Sequence, residues 1–200
     1  MTTTLVLAQN PDADRLLSDS PLALLIGMVL DQQILLEWAF LGPYTLRERL
    51  GRELDASDLA DRNPDDLADV FATPPALHRF PGSMSRRVQQ LCRVIVDDYD
   101  GDASKIWATA STGEELRRRI EALPGFGAQK ARIFVALLGK QMGVRPKGWR
   151  EAAGDFGEAG SFRSVADIRD AKSLAKVREF KKQMKAQAKA AAVEPATSRR

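Results

Sequence analysis

The stretch Ile120-Glu121-Ala122-Leu123-Pro124-Gly125-Phe126-Gly127-Ala128-Gln129-Lys130-Ala131 decides the fold. Its core, residues 123–127, joins two segments of helical periodicity, and we call this core the hairpin. The two glycines, two residues apart, are expected to take left-handed backbone angles in a tight turn. They also leave room for a phosphate beside the amide groups that begin the next helix, where the helix dipole favours an anion. An ordinary helix corner with a glycine cap is the alternative interpretation.

The distribution of charge favours the anion-binding interpretation. Residues 125–150 contain no Asp or Glu, but they contain six basic residues, among them Lys130 and Arg132 just beyond the hairpin. The last 30 residues carry a net charge of +7, and the first 170 carry −4. Such asymmetry points to an anionic partner, and we predict double-stranded DNA held through its phosphates rather than its bases. For the C-terminal segment alone, a solvated basic helix is the simpler interpretation.

Apolar residues recur at helical spacing along most of the chain, so the sequence predicts an all-α fold. Ser20-Pro21 is a helix start, and a buried helix is predicted from about residue 22 to residue 40, ended by Gly42-Pro43. A second Pro-Gly turn, Phe80-Pro81-Gly82, precedes another long helix. We predict one domain over residues 1–192 and a disordered tail over residues 193–200.

The rare residue types exclude several kinds of site. Cys92 is the single cysteine and His78 the single histidine, so a disulfide, a four-cysteine iron–sulfur cluster and a cysteine- or histidine-rich metal site are excluded. We therefore predict no metal and no cofactor, a buried core position for Cys92, and a structural or an exposed position for His78. No apolar run is long enough for a membrane span, and the N-terminus lacks signal-peptide features, so we expect a cytoplasmic protein without membrane contact.

Three segments resemble the helix-hairpin-helix (HhH-GPD) DNA glycosylase superfamily, in particular its endonuclease-III-like members. The first is Leu24-Leu25-Ile26-Gly27-Met28-Val29-Leu30-Asp31-Gln32-Gln33, which is similar to a buried helix that ends in a glutamine-containing element. The second runs from Phe80-Pro81-Gly82 to Cys92-Arg93, and the third is residues 123–131. The three segments have the order and the approximate spacing of the family.

The resemblance implies two helical lobes around one cleft, an approach from the minor groove and a base flipped into the cleft. It implies that Gln33 helps to fill the gap in the duplex, beside Gln32. Capping and solvation are the structural alternative for both glutamines. The DNA-binding residues that we predict are Gln32, Gln33, Leu123, Pro124, Gly125, Phe126, Gly127, Gln129, Lys130 and Arg132.

The sequence departs from the family at the catalytic positions. The nucleophilic lysine of strand-cleaving members matches Gln129, and Lys130 lies one residue later, about 100° round the helix. We therefore do not assign the nucleophile to Lys130. The acidic residue of the family is expected near residues 144–147, which contain no carboxylate. Asp31 is our first candidate for a displaced acid and Asp155 the second, although each alone is more often a solvated or capping carboxylate.

The sequence leaves three functions open. The first is a monofunctional DNA N-glycosylase of base-excision repair, a hydrolase acting on damaged DNA. The second is a lesion-binding protein that keeps the scaffold without the chemistry, and the third is a helical protein–protein adaptor. Trp149 could stack on a flipped base or anchor its glycine-rich segment to the core. Trp38 is predicted to be a core residue.

Overall fold

The computed structural model describes residues 4–193, and the burial of side chains as far as residue 190. Eleven α-helices are found in this part of the chain, with two short 3-10 turns between the last two. They are α1 (Pro11–Asp19), α2 (Pro21–Leu30), α3 (Leu36–Leu50), α4 (Ala56–Asp61), α5 (Pro64–Ala72), α6 (Pro81–Tyr99), α7 (Lys105–Ala108), α8 (Gly113–Glu121), α9 (Ala128–Gln141), α10 (Trp149–Ala153) and α11 (Ala171–Val193).

The all-α prediction is confirmed. Within residues 4–193 no strand forms, and the only extended pairing is an isolated bridge between Thr112 and Lys147. No helix in this range has both the length and the apolar character that crossing a bilayer requires. The predicted tail begins at residue 193, which is the last residue of α11, and its remaining residues, 194–200, lie outside the described residues.

The helices form two lobes. In the first lobe α2 packs on α3, and α6 packs on α2, α4 and α5. In the second lobe α9 packs on α8 and α10 and on both 3-10 turns, while α11 packs on the second of these turns. One continuous apolar core runs through both lobes. Cys92 is buried in this core, and burial raises the pKa of its thiol to about 12.

The prediction of one helix over residues 22–40 is wrong, because the structure has two helices there, α2 and α3. The start is as expected, since the Ser20 hydroxyl accepts a hydrogen bond from the Ala23 amide at 3.2 Å and Pro21 follows. The chain then leaves the helix at Asp31 and re-enters one at Leu36. Residues 31–35 between them are called the Gln-Gln loop below.

The predicted stop at Gly42-Pro43 is also wrong, because both residues lie inside α3. A Cβ atom on Gly42 would stand 2.5 Å from Cδ1 of Leu30. The glycine is therefore required by the close approach of α2 and α3, not by a helix end. This contact packs the last residue of α2 against the middle of α3.

Candidate functional site

A cleft with a volume of about 1220 Å³ lies between the two lobes. The Gln-Gln loop, Trp38 and Arg79 form the wall that belongs to the first lobe. Gly125, Gly127, Gln129, Lys130 and Ile133 form the wall that belongs to the second lobe. Lys181 and Lys185 of α11 also line the cleft. The structure thus brings Asp31 and both glutamines to one cleft with Gly125 and Gly127 of the hairpin.

Two apolar side chains anchor the hairpin in the second lobe. Leu123 and Phe126 are buried, and the Phe126 ring meets the Phe134 ring edge-on with 5.8 Å between centroids. Gly125 has φ of 89°, the left-handed region that favours glycine. A Cβ atom on it would also lie 2.9 Å from Cδ of Arg87. Gly125 is therefore required both by the turn and by the contact between the lobes.

The backbone of Gly127 is not left-handed, as the sequence analysis predicts, but extended. Its φ of −104° and ψ of 177° are ordinary extended values, and a Cβ atom there would meet nothing within 4 Å. The residue is exposed and immediately precedes α9, whose first amide groups have no intrahelical partner. Because glycine has no side chain to cap these amides, they are open to an external anion.

Hydrogen bonds from distant residues fix the Gln-Gln loop. Gln32 donates to the Val29 carbonyl at 2.7 Å, and its side-chain oxygen accepts a hydrogen bond from Arg87 at 3.1 Å. Gln33 is exposed and has φ of 56°, an unusual value for a residue other than glycine. The loop therefore presents Gln33 to the cleft while Gln32 holds the backbone.

His78 supports this wall from behind, and its contact with the Gln-Gln loop could not be read from the sequence. It is almost fully buried, and its Nε2 lies 2.8 Å from the Gln32 carbonyl oxygen. The Phe80 amide donates to Nδ1 at 3.0 Å, so Nε2 carries the proton and donates to Gln32. Burial lowers the pKa of His78, while the hydrogen bond to the Gln32 carbonyl acts in the opposite direction. Three cations lower it further: Arg79, Arg87 and Lys130.

Lys130 lines the cleft near the start of α9. It is mostly buried, and its Nζ donates to the Met28 carbonyl at 2.6 Å, which connects the second lobe to the end of α2. Burial lowers the pKa of Lys130 to about 8, while the negative charge of Asp31 acts in the opposite direction and Arg87 adds to the lowering. Lys130 is therefore a charged neighbour of Asp31 inside the cleft, and not an exposed phosphate ligand.

The two candidate acids lie in different places. Asp31 ends α2 and is the only carboxylate among the cleft-lining residues that the structure describes. The Asp155 side chain is 84% exposed and lies outside this cleft, beside an adjoining recess, with its carboxylate 3.8 Å from Arg163. No cluster of three or more potential metal ligands occurs in the described part of the chain.

Trp149 takes the second of its two predicted roles, as a core anchor, whereas Trp38 does not lie in the core as predicted. Trp149 is buried beneath α9, where a Cβ atom on Gly139 would lie 2.3 Å from its ring, and it does not reach the cleft. Trp38 is 41% exposed and lines the cleft. Arg132 is exposed on α9 but is not part of the cleft lining. The aromatic surface available to a ligand in the cleft is therefore Trp38.

No family model and no curated protein matches this chain. Solved structures similar to it include the H. pylori 3-methyladenine DNA glycosylase MagIII bound to 1,N6-ethenoadenine, with 17% identity, TM-score 0.47 and coverage of 88% of this chain and 94% of that one. A trapped endonuclease III–DNA covalent intermediate has 17% identity, TM-score 0.43 and coverage of 86% and 94%. A thermostable thymine-DNA glycosylase has 16% identity and a TM-score of 0.40, with coverage of 80% of this chain and 70% of that one. TM-scores below 0.5 establish no residue correspondence, so the function of the cleft has to follow from its own side chains.

Proposed function

We propose that this protein is a DNA N-glycosylase of the helix-hairpin-helix superfamily, which binds damaged duplex DNA and releases one base. The observation that carries the proposal is the composition of the cleft. The hairpin and the open start of α9 form one wall, and the other wall presents Asp31, its only described carboxylate. A phosphate-binding element and an acid therefore face the same space, which is large enough for a nucleotide.

Binding depends on the backbone of the hairpin. A DNA phosphate beside Gly127 accepts hydrogen bonds from the first amides of α9 and is favoured by the helix dipole. The base of the damaged nucleotide leaves the duplex and enters the cleft, where it stacks on the exposed face of Trp38. Gln33, held by its loop at the rim, occupies the gap that the base leaves.

Asp31 supplies the chemistry. The bond between the sugar C1′ and the base nitrogen breaks, and its electron pair leaves with the base. Positive charge develops on the sugar, and a nearby carboxylate stabilises that charge in the transition state. A water oxygen then bonds to C1′, Asp31 accepts the proton that the water loses, and the base takes up a proton as it departs.

Lys130 acts as a charge and not as a nucleophile, so the proposed enzyme is monofunctional. Burial lowers the pKa of Lys130 to about 8, which by itself favours a nucleophilic amine, so the assignment rests on position: Gln129, not Lys130, stands where the nucleophile is expected. Its Nζ is also engaged with the Met28 carbonyl. We therefore expect release of the base with the abasic strand intact until alkali or heat is applied.

A panel of duplexes, each carrying one lesion, tests the activity. Single-turnover release of the base is measured for the wild type, Asp31→Asn and Asp155→Asn. We expect excision of at least one lesion, a loss of roughly 100-fold or more in Asp31→Asn, and no loss in Asp155→Asn. Loss in Asp155→Asn alone would move the role to that residue. Selective binding of a lesion without any excision would favour the lesion-binding function.

Borohydride trapping tests the monofunctional mechanism. Reduction of a Schiff base would link the protein covalently to DNA, and we expect no adduct at neutral pH. Because the neutral amine of Lys130 becomes abundant above about pH 8, the experiment is repeated at higher pH with Lys130→Gln as the control. An adduct that forms with the wild type and disappears in Lys130→Gln would show that Lys130 is a nucleophile.

A further inference from the structure

The inward face of α11 changes from apolar to basic along its length. Leu174 and Val177 are buried against the second lobe. Residues spaced by three and four positions share one side of a helix, so Lys181 and Lys185 continue the same face. These two lysines line the cleft instead of the apolar core. Lysines at inward positions are not explained by solvation of an outer helix surface.

An ion pair connects α11 to the first lobe. Arg178 bonds to the carboxylate of Glu37, which lies in the first turn of α3. Glu37 is adjacent to Trp38, so this pair fastens α11 next to the aromatic lining of the cleft. The two lysines therefore have a defined position at the cleft and do not depend on a free helix end.

The charges around these lysines favour an anion. The described part of α11 has seven basic residues and one acidic residue, Glu179, which accepts a hydrogen bond from Gln183 at 3.1 Å. Asp31 is the only carboxylate in the described cleft lining, and Asp155, in the adjoining recess that both lysines also line, is paired with Arg163. Neither lysine has an acidic hydrogen-bond partner among the bonds of the described residues. Their charge is therefore available to a ligand in the cleft.

We propose that Lys181 and Lys185 form a second phosphate-binding surface, separate from the hairpin, which holds the backbone of the strand whose nucleotide enters the cleft. The inference rests on the proposed function, because it takes DNA as the occupant of the cleft. The surface fits phosphates and does not read bases, so it adds affinity without sequence preference.

The test compares two double variants that remove the same charge. Lys181→Gln/Lys185→Gln changes the inward lysines, and Lys172→Gln/Lys176→Gln changes lysines about 180° and 140° round the helix from Lys181. Binding is measured by fluorescence anisotropy with a short duplex that carries one tetrahydrofuran abasic analogue, and with the intact duplex. Thermal unfolding of each variant shows whether the fold is kept.

The loss of two phosphate contacts lowers the slope of log affinity against log salt by about 1.8, over roughly 50 to 200 mM salt. We expect this change, together with a roughly tenfold lower affinity for the abasic duplex, only in the inward variant. Lys181→Arg/Lys185→Arg should retain wild-type affinity, since the charges remain.

Equal effects of the two glutamine variants would overturn the proposal, because general charge would then explain them. An unchanged slope in the inward variant would also overturn it, while binding and excision by the wild type would leave the proposed function intact. A wild-type protein that binds no duplex would instead refute the proposed function, and with it this inference.

Discussion

The two walls of the cleft are held in place by different means. The Gln-Gln loop depends on side chains from elsewhere in the first lobe, above all on His78 and Arg87, which bond to Gln32. The hairpin depends on glycine at a position with φ of 89° and on the packing of Leu123 and Phe126. One wall is maintained by hydrogen bonds, and the other by steric fit.

The two walls should therefore respond differently to a change of pH and to an added side chain. A hydrogen-bonded wall that contains a histidine responds to pH, because protonation of Nδ1 removes the acceptor that the Phe80 amide uses. The hairpin, residues 123–127, contains no titratable side chain, but it does not tolerate an added Cβ atom at Gly125. The following predictions test these two responses, from the largest expected effect to the smallest.

Gly125→Val should have the largest effect. Valine is strained at φ of 89°, and its side chain would collide with Arg87 and Val29. We expect a loss of about 3 kcal/mol in the free energy of unfolding, measured by chemical denaturation. An unchanged unfolding midpoint would mean that the hairpin adapts, and that steric fit does not hold this wall.

His78→Phe should cost about 2 kcal/mol, because two buried backbone groups, the Gln32 carbonyl and the Phe80 amide, lose their partner. The pKa of His78 is lowered in the folded protein, so the unfolded chain takes up the proton first as the pH falls. Wild-type stability should therefore be complete above about pH 6.5 and decline below it.

Denaturation at several pH values checks this prediction, and His78→Phe should lose the part of the pH dependence that begins at pH 6.5. If the variant keeps the wild-type profile, the response belongs to other groups. The first wall would then not be sensitive to pH through His78.

Gly127→Val separates the fold of the hairpin from its contact with DNA. The extended backbone accepts valine without strain, so the free energy of unfolding should stay within about 0.5 kcal/mol of the wild type. The side chain would cover the first amides of α9, and we expect a roughly tenfold loss of DNA affinity, or about 1.4 kcal/mol. Wild-type affinity in a folded variant would show that the hairpin is only a structural corner.

Lys130→Met should have the smallest of the four main effects, and it should stabilise the fold instead of weakening it. Burial disfavours the charged form of Lys130, so replacing it should raise the free energy of unfolding at pH 7 by about 1 kcal/mol. The wild-type lysine loses its charge as the pH rises through about 8, so the difference should shrink above that value. A destabilised variant would show that the bond to the Met28 carbonyl outweighs the cost of burial.

The second wall could be predicted from sequence because its determinants are local. Leu-Pro-Gly-Phe-Gly contains its own turn and its own anchors, and the helix after it has apolar residues at regular spacing. Only the predicted backbone conformation of Gly127 is wrong, since the turn needs one left-handed glycine, Gly125, and not two.

The first wall could not be predicted because its determinants are distant in sequence. The apolar pattern of residues 22–40 continues through the Gln-Gln loop, and the break is stabilised by His78, 46 residues further on. Trp38 was assigned to the core for the same reason, as a continuous helix would have turned it inward. The rotation of about 100° between Gln129 and Lys130 does not place them on separate surfaces. The cleft surrounds the start of α9, so both residues line it.

The burial of Cys92 makes this chain convenient for cross-linking. A thiol with a pKa of about 12 stays protonated and does not take part in disulfide exchange at neutral pH. A cysteine introduced at exposed Gln33 would then be the single reactive thiol, without any need to remove the natural one. It could be tethered through a disulfide to a thiol-modified nucleotide, which would trap the complex in a defined register for crystallisation.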